Sequence, residues 1–168
     1  MQDGAEWINA RTEPTILPRL TNLSIICGSA ITLIYESLFS SFELPALSML
    51  QLSEKNLHSN VPQDLSNAAP CLLGIPYLKF LSHSSATLQN LKVTGVTMSE
   101  ATLISSLTLI PNLRNLSLTQ VEQSRPSISS VILQSLTGTT LVPALRNVEL
   151  RGSPLDLKPL FKEMVQSR

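Results

Sequence analysis

Four side chains in this sequence are of the types that hold metals or move protons: Cys27, His58, Cys71 and His83, the only cysteines and histidines in the chain. A zinc site usually draws its ligands in close pairs, roughly two to four residues apart. No two of these four residues are spaced that way. A histidine acting as general base needs a second group that orients it or receives its proton. Neither histidine has such a partner nearby in sequence. There is no glycine-rich phosphate loop and no Gly-x-Ser-x-Gly elbow. Cys27 reads as a small core residue directly after a strand, and Cys71, beside Leu72 and Leu73, as another. His83 closes Leu78-Lys79-Phe80-Leu81-Ser82-His83 and reads as a helix-end residue serving the last carbonyls. His58 reads as solvated. The expectation is no metal, no cofactor and no enzymatic activity.

The remaining composition points to packing and surface rather than chemistry. The chain has 168 residues and no net charge; 43% of it is hydrophobic, yet only 4% is aromatic and 14% charged. The core is therefore aliphatic. Neutral charge gives no electrostatic reason to expect nucleic acid or an anionic membrane as partner. The N-terminal Met1–Trp7 does not read as a signal peptide. The longest uncharged window, between Arg19 and Glu36, is too short and too polar to span a bilayer. Two cysteines without a secretory signal read as reduced thiols of a cytoplasmic or nuclear protein.

The elements that must position any functional group come from a repeated frame. Five segments share it: Leu17–Ile25, Leu44–Leu52, Ala86–Val93, Ile110–Leu118 and Val142–Leu150. Each sets an aliphatic residue, two variable positions, an aliphatic residue, one variable position and another aliphatic residue. Four of the five carry a proline after an aliphatic lead-in: Pro18, Pro45, Pro111 and Pro143. Equivalent residues Leu20, Leu47, Leu88, Leu113 and Leu145 fall 27, 41, 25 and 32 residues apart. That spacing is close to the roughly 20–29 residues of leucine-rich repeats, with an insertion in the second. Alternation within each frame predicts strands with Leu23 and Ile25 inward and Asn22 and Ser24 outward.

Between frames the period becomes helical. Ser99 and Glu100 open a helix that puts Leu103 and Leu107 on one face. Similar segments run from Ala30 to Phe42, Pro76 to Ser84, Ser127 to Leu136 and Leu157 to Gln166. In the last, Leu160, Phe161 and Met164 form the inward face. Strand, helix, strand at near-constant period predicts parallel strands with the helices on one side. The fold class expected is α/β: a leucine-rich-repeat solenoid, a ribonuclease-inhibitor-like arc of about five parallel strands on the concave side and helices on the convex side. Residues 1–16 are read as an N-terminal cap, with Trp7 and Ile8 covering the first strand's edge, and residues 17–168 as the repeat domain.

The stretch Leu88-x-x-Leu91-x-Val93-x-x-Val96-x-Met98-Ser99-Glu100-x-x-Leu103 resembles the cysteine-type leucine-rich repeat of F-box substrate receptors. Val96 stands where that pattern has cysteine, and the connection is one residue shorter. The Leu-Pro-x-Leu-x-x-Leu-x-Leu openings resemble the repeat regions of fungal F-box proteins, and the likeness covers residues 14–168. It implies selection of a protein substrate for an SCF-type ubiquitin ligase. The first frame starts by Leu17, so a cullin-adaptor contact is expected only through an F-box outside this chain. The alternative is a stand-alone structural or inhibitory binding module.

Three columns of outward residues would line the concave sheet. They are Asn22, Met49, Asn90, Asn115 and Asn147; then Ser24, Gln51, Lys92, Ser117 and Glu149; then Ile26, Ser53, Thr94, Thr119 and Arg151. Such a largely uncharged, hydrogen-bonding face suits a wet protein contact, although solvated strand positions without a partner would have the same composition. Stacked amides in the first column could also stiffen the sheet. A second contact zone is expected on one rim, from the loop Glu54–Asn67, with Glu54, Lys55, His58 and Asp64, and the loop Gln120–Pro126, with Glu122 and Arg125.

Overall fold

Four of the five frames begin with the same turn, and proline is the reason. In a computed structural model, which describes residues 13–28, 32–55, 74–96, 98–119, 129–137, 141–152 and 158–167, the N–H of Leu20 donates to the carbonyl of Leu17 at 3.3 Å. Leu47 donates to Leu44, Leu113 to Ile110 and Leu145 to Val142, each at 3.1 Å. Each is a four-residue turn with Pro18, Pro45, Pro111 or Pro143 at its second position, where a fixed φ is favourable and the missing N–H is not needed. The third frame lacks proline and substitutes hydroxyls. Ser84 Oγ, fully buried, donates to Leu44 O at 2.8 Å, and Thr87 Oγ1 lies 2.9 Å from Leu47 O.

The turn delivers the chain into a strand in a constant way. Ser48 and Met49 both donate their N–H to Thr21 O, Gln89 and Asn90 to Ser48 O, Arg114 and Asn115 to Gln89 O, and Arg146 and Asn147 to Arg114 O, all at 2.7–3.0 Å. The strands that follow are β2 (Asn22–Gly28), β4 (Met49–Lys55), β5 (Asn90–Thr94), β6 (Asn115–Thr119) and β7 (Asn147–Arg151). They form one parallel sheet in chain order, β2-β4-β5-β6-β7. Its register aligns Asn22, Met49, Asn90, Asn115 and Asn147, as the frames require.

Helices α1 (Thr32–Ser41), α2 (Ile75–His83), α3 (Glu100–Leu109), α4 (Ser130–Leu136) and α5 (Lys158–Gln166) connect or follow the strands, and each packs against the next. Ser99 caps α3, its hydroxyl accepting from Thr102 N at 3.1 Å. The cap of α4 is Ser129, whose hydroxyl accepts from Ile132 N at 3.4 Å. The expected start at Ser127 lies outside the described residues. The inward strand residues Leu50, Leu52, Leu91, Val93, Leu116 and Leu118 bury themselves against Phe80, Leu81, Leu103, Leu107, Leu133 and Leu136 from the helices. The fold is thus α/β, a five-stranded parallel sheet with helices on one face. Phe39 joins α1 to α2 by tilted ring contacts with Tyr77 and Phe80, at centroid separations of 5.3 and 4.9 Å.

One feature differs from the sequence reading. Phe42 does not end a helix: with Glu43 it forms β3, paired in parallel with β1 (Thr15–Ile16) as a separate two-stranded sheet. Both strands are too short for an alternation signal. The cap residues Trp7 and Ile8 lie outside the described residues. Gly95 and Gly152 follow β5 and β7 at equivalent positions with φ of 71° and 75°, a left-handed conformation that glycine adopts without a Cβ penalty. No described helix is long and apolar enough to cross a membrane.

Candidate functional site: the open face of the sheet

Because side chains alternate along a strand, burial of Leu91 and Val93 forces Asn90, Lys92 and Thr94 to the opposite face. The same holds on β6, where Leu116 and Leu118 are buried while Asn115, Ser117 and Thr119 remain partly accessible. The structure therefore brings all three predicted columns together on one face.

The first column holds a chain of amides. Asn147 Nδ2 donates to Asn115 Oδ1 at 2.5 Å, Asn115 Nδ2 donates to Asn90 Oδ1, and Asn90 Nδ2 ends the run on Ser48 O at 3.3 Å. Parallel strands about 4.8 Å apart place equivalent side chains within reach of such bonds. Met49 interrupts the column, so Asn22 stands apart from the run. Sequence reasoning found the stacked asparagines, but not the single direction of donation across the strands.

The second and third columns meet in a charged cluster on β6 and β7. Glu149 receives Ser117 Oγ at 2.8 Å and Arg151 Nε at 2.7 Å, and Arg151 Nη2 lies 2.6 Å from the same carboxylate. The Ser117 hydrogen bond, then the Arg151 hydrogen bond and charge, hold the Glu149 carboxyl below its ordinary value. The pair is exposed and therefore fixes geometry more than it stabilises. Lys92 lies nearby, exposed, and makes no ion pair among the described residues. Gln51 Nε2 lies 3.4 Å from Ser53 Oγ on β4. Among the described residues, the face thus offers a committed amide row, a pinned acid–base pair and Lys92, a cation without an ion pair.

The expected rim zone is less complete. Glu54 ends in β4 and is partly buried; Lys55 is the last residue of that strand. His58, Asp64, Glu122 and Arg125 lie outside the described residues, as does Cys71. His83 ends α2, as the sequence reading expects, and its Nδ1 faces Glu43 Oε1 at 3.7 Å, a contact that reading did not include. The two residues border a groove of about 300 Å³ beside Pro14, Phe42 and Lys79. That groove depends on the β1–β3 pair, which two-residue strands do not announce. Among the described residues no three metal-ligating side chains converge.

Buried within the core is a polar atom that sequence reasoning did not single out. The phenol of Tyr77 on α2 is fully buried and has no hydrogen-bond partner among the described residues. Burial raises its ionisation well above the ordinary value, and the nearby Ser106 hydroxyl pulls the other way. Ser106 itself donates to Thr102 O at 2.6 Å.

No family model matches this sequence, no curated protein matches it, and no solved structure matches its fold.

Proposed function

We propose that this chain is a leucine-rich-repeat arc that recognises another protein through the open face of its sheet. The observation that carries the reading is the contrast between the sheet's two faces: one closed by aliphatic side chains, the other an aligned array of amides, hydroxyls and one charged cluster. A non-obligate protein contact is about as polar as this and is completed by water. Lys92 and Gln51 in the middle, with the Glu149–Arg151 pair at one side, supply direction and register rather than bulk affinity. The repeated proline turn and the repeated strand-start hydrogen bonds support the repeat assignment.

The resemblance of Leu88–Leu103 to F-box substrate receptors extends this reading to substrate selection for an SCF-type ubiquitin ligase. The chain's share of that work is recognition without chemistry, and the adaptor contact belongs to an F-box. A stand-alone inhibitory module would use the same face, and the presence or absence of a cullin adaptor separates the two.

The test is a quantitative comparison of proteins co-purifying with the wild-type chain and with Lys92→Glu. Reversal of the Lys92 charge is expected to deplete a specific partner several-fold while leaving circular dichroism unchanged. An unchanged set of partners would remove the sheet face as the binding surface.

A further inference from the structure

The two ends of the sheet complement each other. At each internal junction, a carbonyl just before one strand accepts two N–H groups from the start of the next, as Arg114 O does from Arg146 and Asn147. By the same frame, Arg146 O is the next acceptor in the series, and it receives no hydrogen bond among the described residues. At the opposite end, the N–H groups of Thr21 and Asn22 are the matching donors. Among the described residues they have no acceptor. The amide run has the same polarity. Asn147 donates inward and its Oδ1 accepts no hydrogen bond among the described residues, and the Asn22 amide likewise makes none among them.

Among the described residues, the core is less completely buried at both ends of the sheet. Leu47 and Leu50 are fully buried, whereas their β2-side equivalents Leu20 and Leu23 are only partly so. Leu116 and Leu118 are buried, whereas Val148 and Leu150 are partly open. Beside β7, a groove of about 300 Å³ runs between Leu145, Val148, Phe161 and Val165, with Val165 56% exposed. Terminal layers of stacked structures need a polar cap or a neighbour, and a row of unpaired strand groups is a template for another strand.

We infer that a second copy of this chain docks head to tail, its β2 edge against the β7 edge of the first. Thr21 and Asn22 of the incoming copy donate to Arg146 O, and the Asn22 amide donates to Asn147 Oδ1, extending the amide run across the junction. Leu20 and Leu23 enter the groove beside Val148 and Phe161. The contact is heterologous, so copies continue into a chain or close into a ring. This inference rests on the sheet edges and is independent of which protein the sheet face binds.

Sedimentation velocity of the full chain over a concentration series, up to roughly 100 μM to reach weak contacts, tests it. Species above 18.3 kDa that grow with concentration are expected, and Asn22→Asp should weaken the association about tenfold, equivalent to about 1.4 kcal/mol. Asn22 is exposed, so its replacement leaves the fold intact. As a second readout, Asn22→Cys and Asn147→Cys chains mixed under mild oxidation should form a mixed disulfide that neither chain forms alone. A monomer throughout the series, association indifferent to Asn22→Asp, or a mixture that forms no such disulfide would overturn the proposal; occupation of the β2 edge by the chain's own residues before Glu13 would appear as the monomer.

Discussion

Replacing Leu116 by aspartate would put a carboxylate among aliphatic side chains in the middle of the sheet, at a position only 2% exposed. An unpaired buried charge cannot be offset there, and loss of native circular dichroism is expected at neutral pH. The adjacent Asn115 has the opposite role. Asn115→Ala removes two amide hydrogen bonds and should leave the chain folded, about 1 kcal/mol less stable in a urea titration. Tyr77→Phe should go the other way. It deletes a buried hydroxyl that has no partner among the described residues, so an unchanged or higher melting temperature is expected. The phenol also links stability to pH. Its ionisation is raised in the folded state from 10.0, so the folded form stays neutral where the unfolded chain ionises. That contribution is complete below pH 10 and is lost as pH rises further. Glu149 has the reverse sign: its lowered ionisation favours the folded arrangement above 4.5, and the benefit fades as acid protonates it.

At the scale of elements, the strands were legible because each frame couples a proline turn to period-two alternation, and both signals point to one register. A one-residue shift of β6 would turn both Leu116 and Leu118 out of the core. The helices were legible in position but less so at their ends. Ser99 caps α3 as expected, whereas Phe42 pairs with Ile16's strand because a two-residue bridge carries no periodicity. The site was legible as a set of columns, since alternation alone decides which side chains leave the core. The direction of the amide run and the pinning of Glu149 were not, because they depend on rotamers and on contacts 25 and 32 residues apart in sequence. The turn chemistry makes its own prediction. Ser84→Ala removes a buried hydroxyl bond to Leu44 O in the one frame without proline, and should cost about 1 kcal/mol, read as a lower denaturation midpoint.

At the scale of the whole molecule, each layer touches mainly its neighbours in sequence: β2 meets β4, β4 meets β5, and α1 to α5 follow one another. Among the described residues, the inward side chains of the middle strands are therefore buried, whereas Leu23, Val148 and Leu150 on the two outer strands are only partly so. The face opposite the helices gains regularity from the same arrangement, because one register aligns five strands at once. A partner that reads this face reads several layers together, which is how modest polar contacts accumulate into specificity. A photo-cross-linking amino acid placed singly at Ser117, on the open face of β6, and at Thr108, on the exposed side of α3, tests that claim most directly. In cells that make the protein, cross-links to a defined partner are expected from position 117 and not from position 108. Cross-links from position 108 alone, or none from position 117, would contradict recognition by the sheet face.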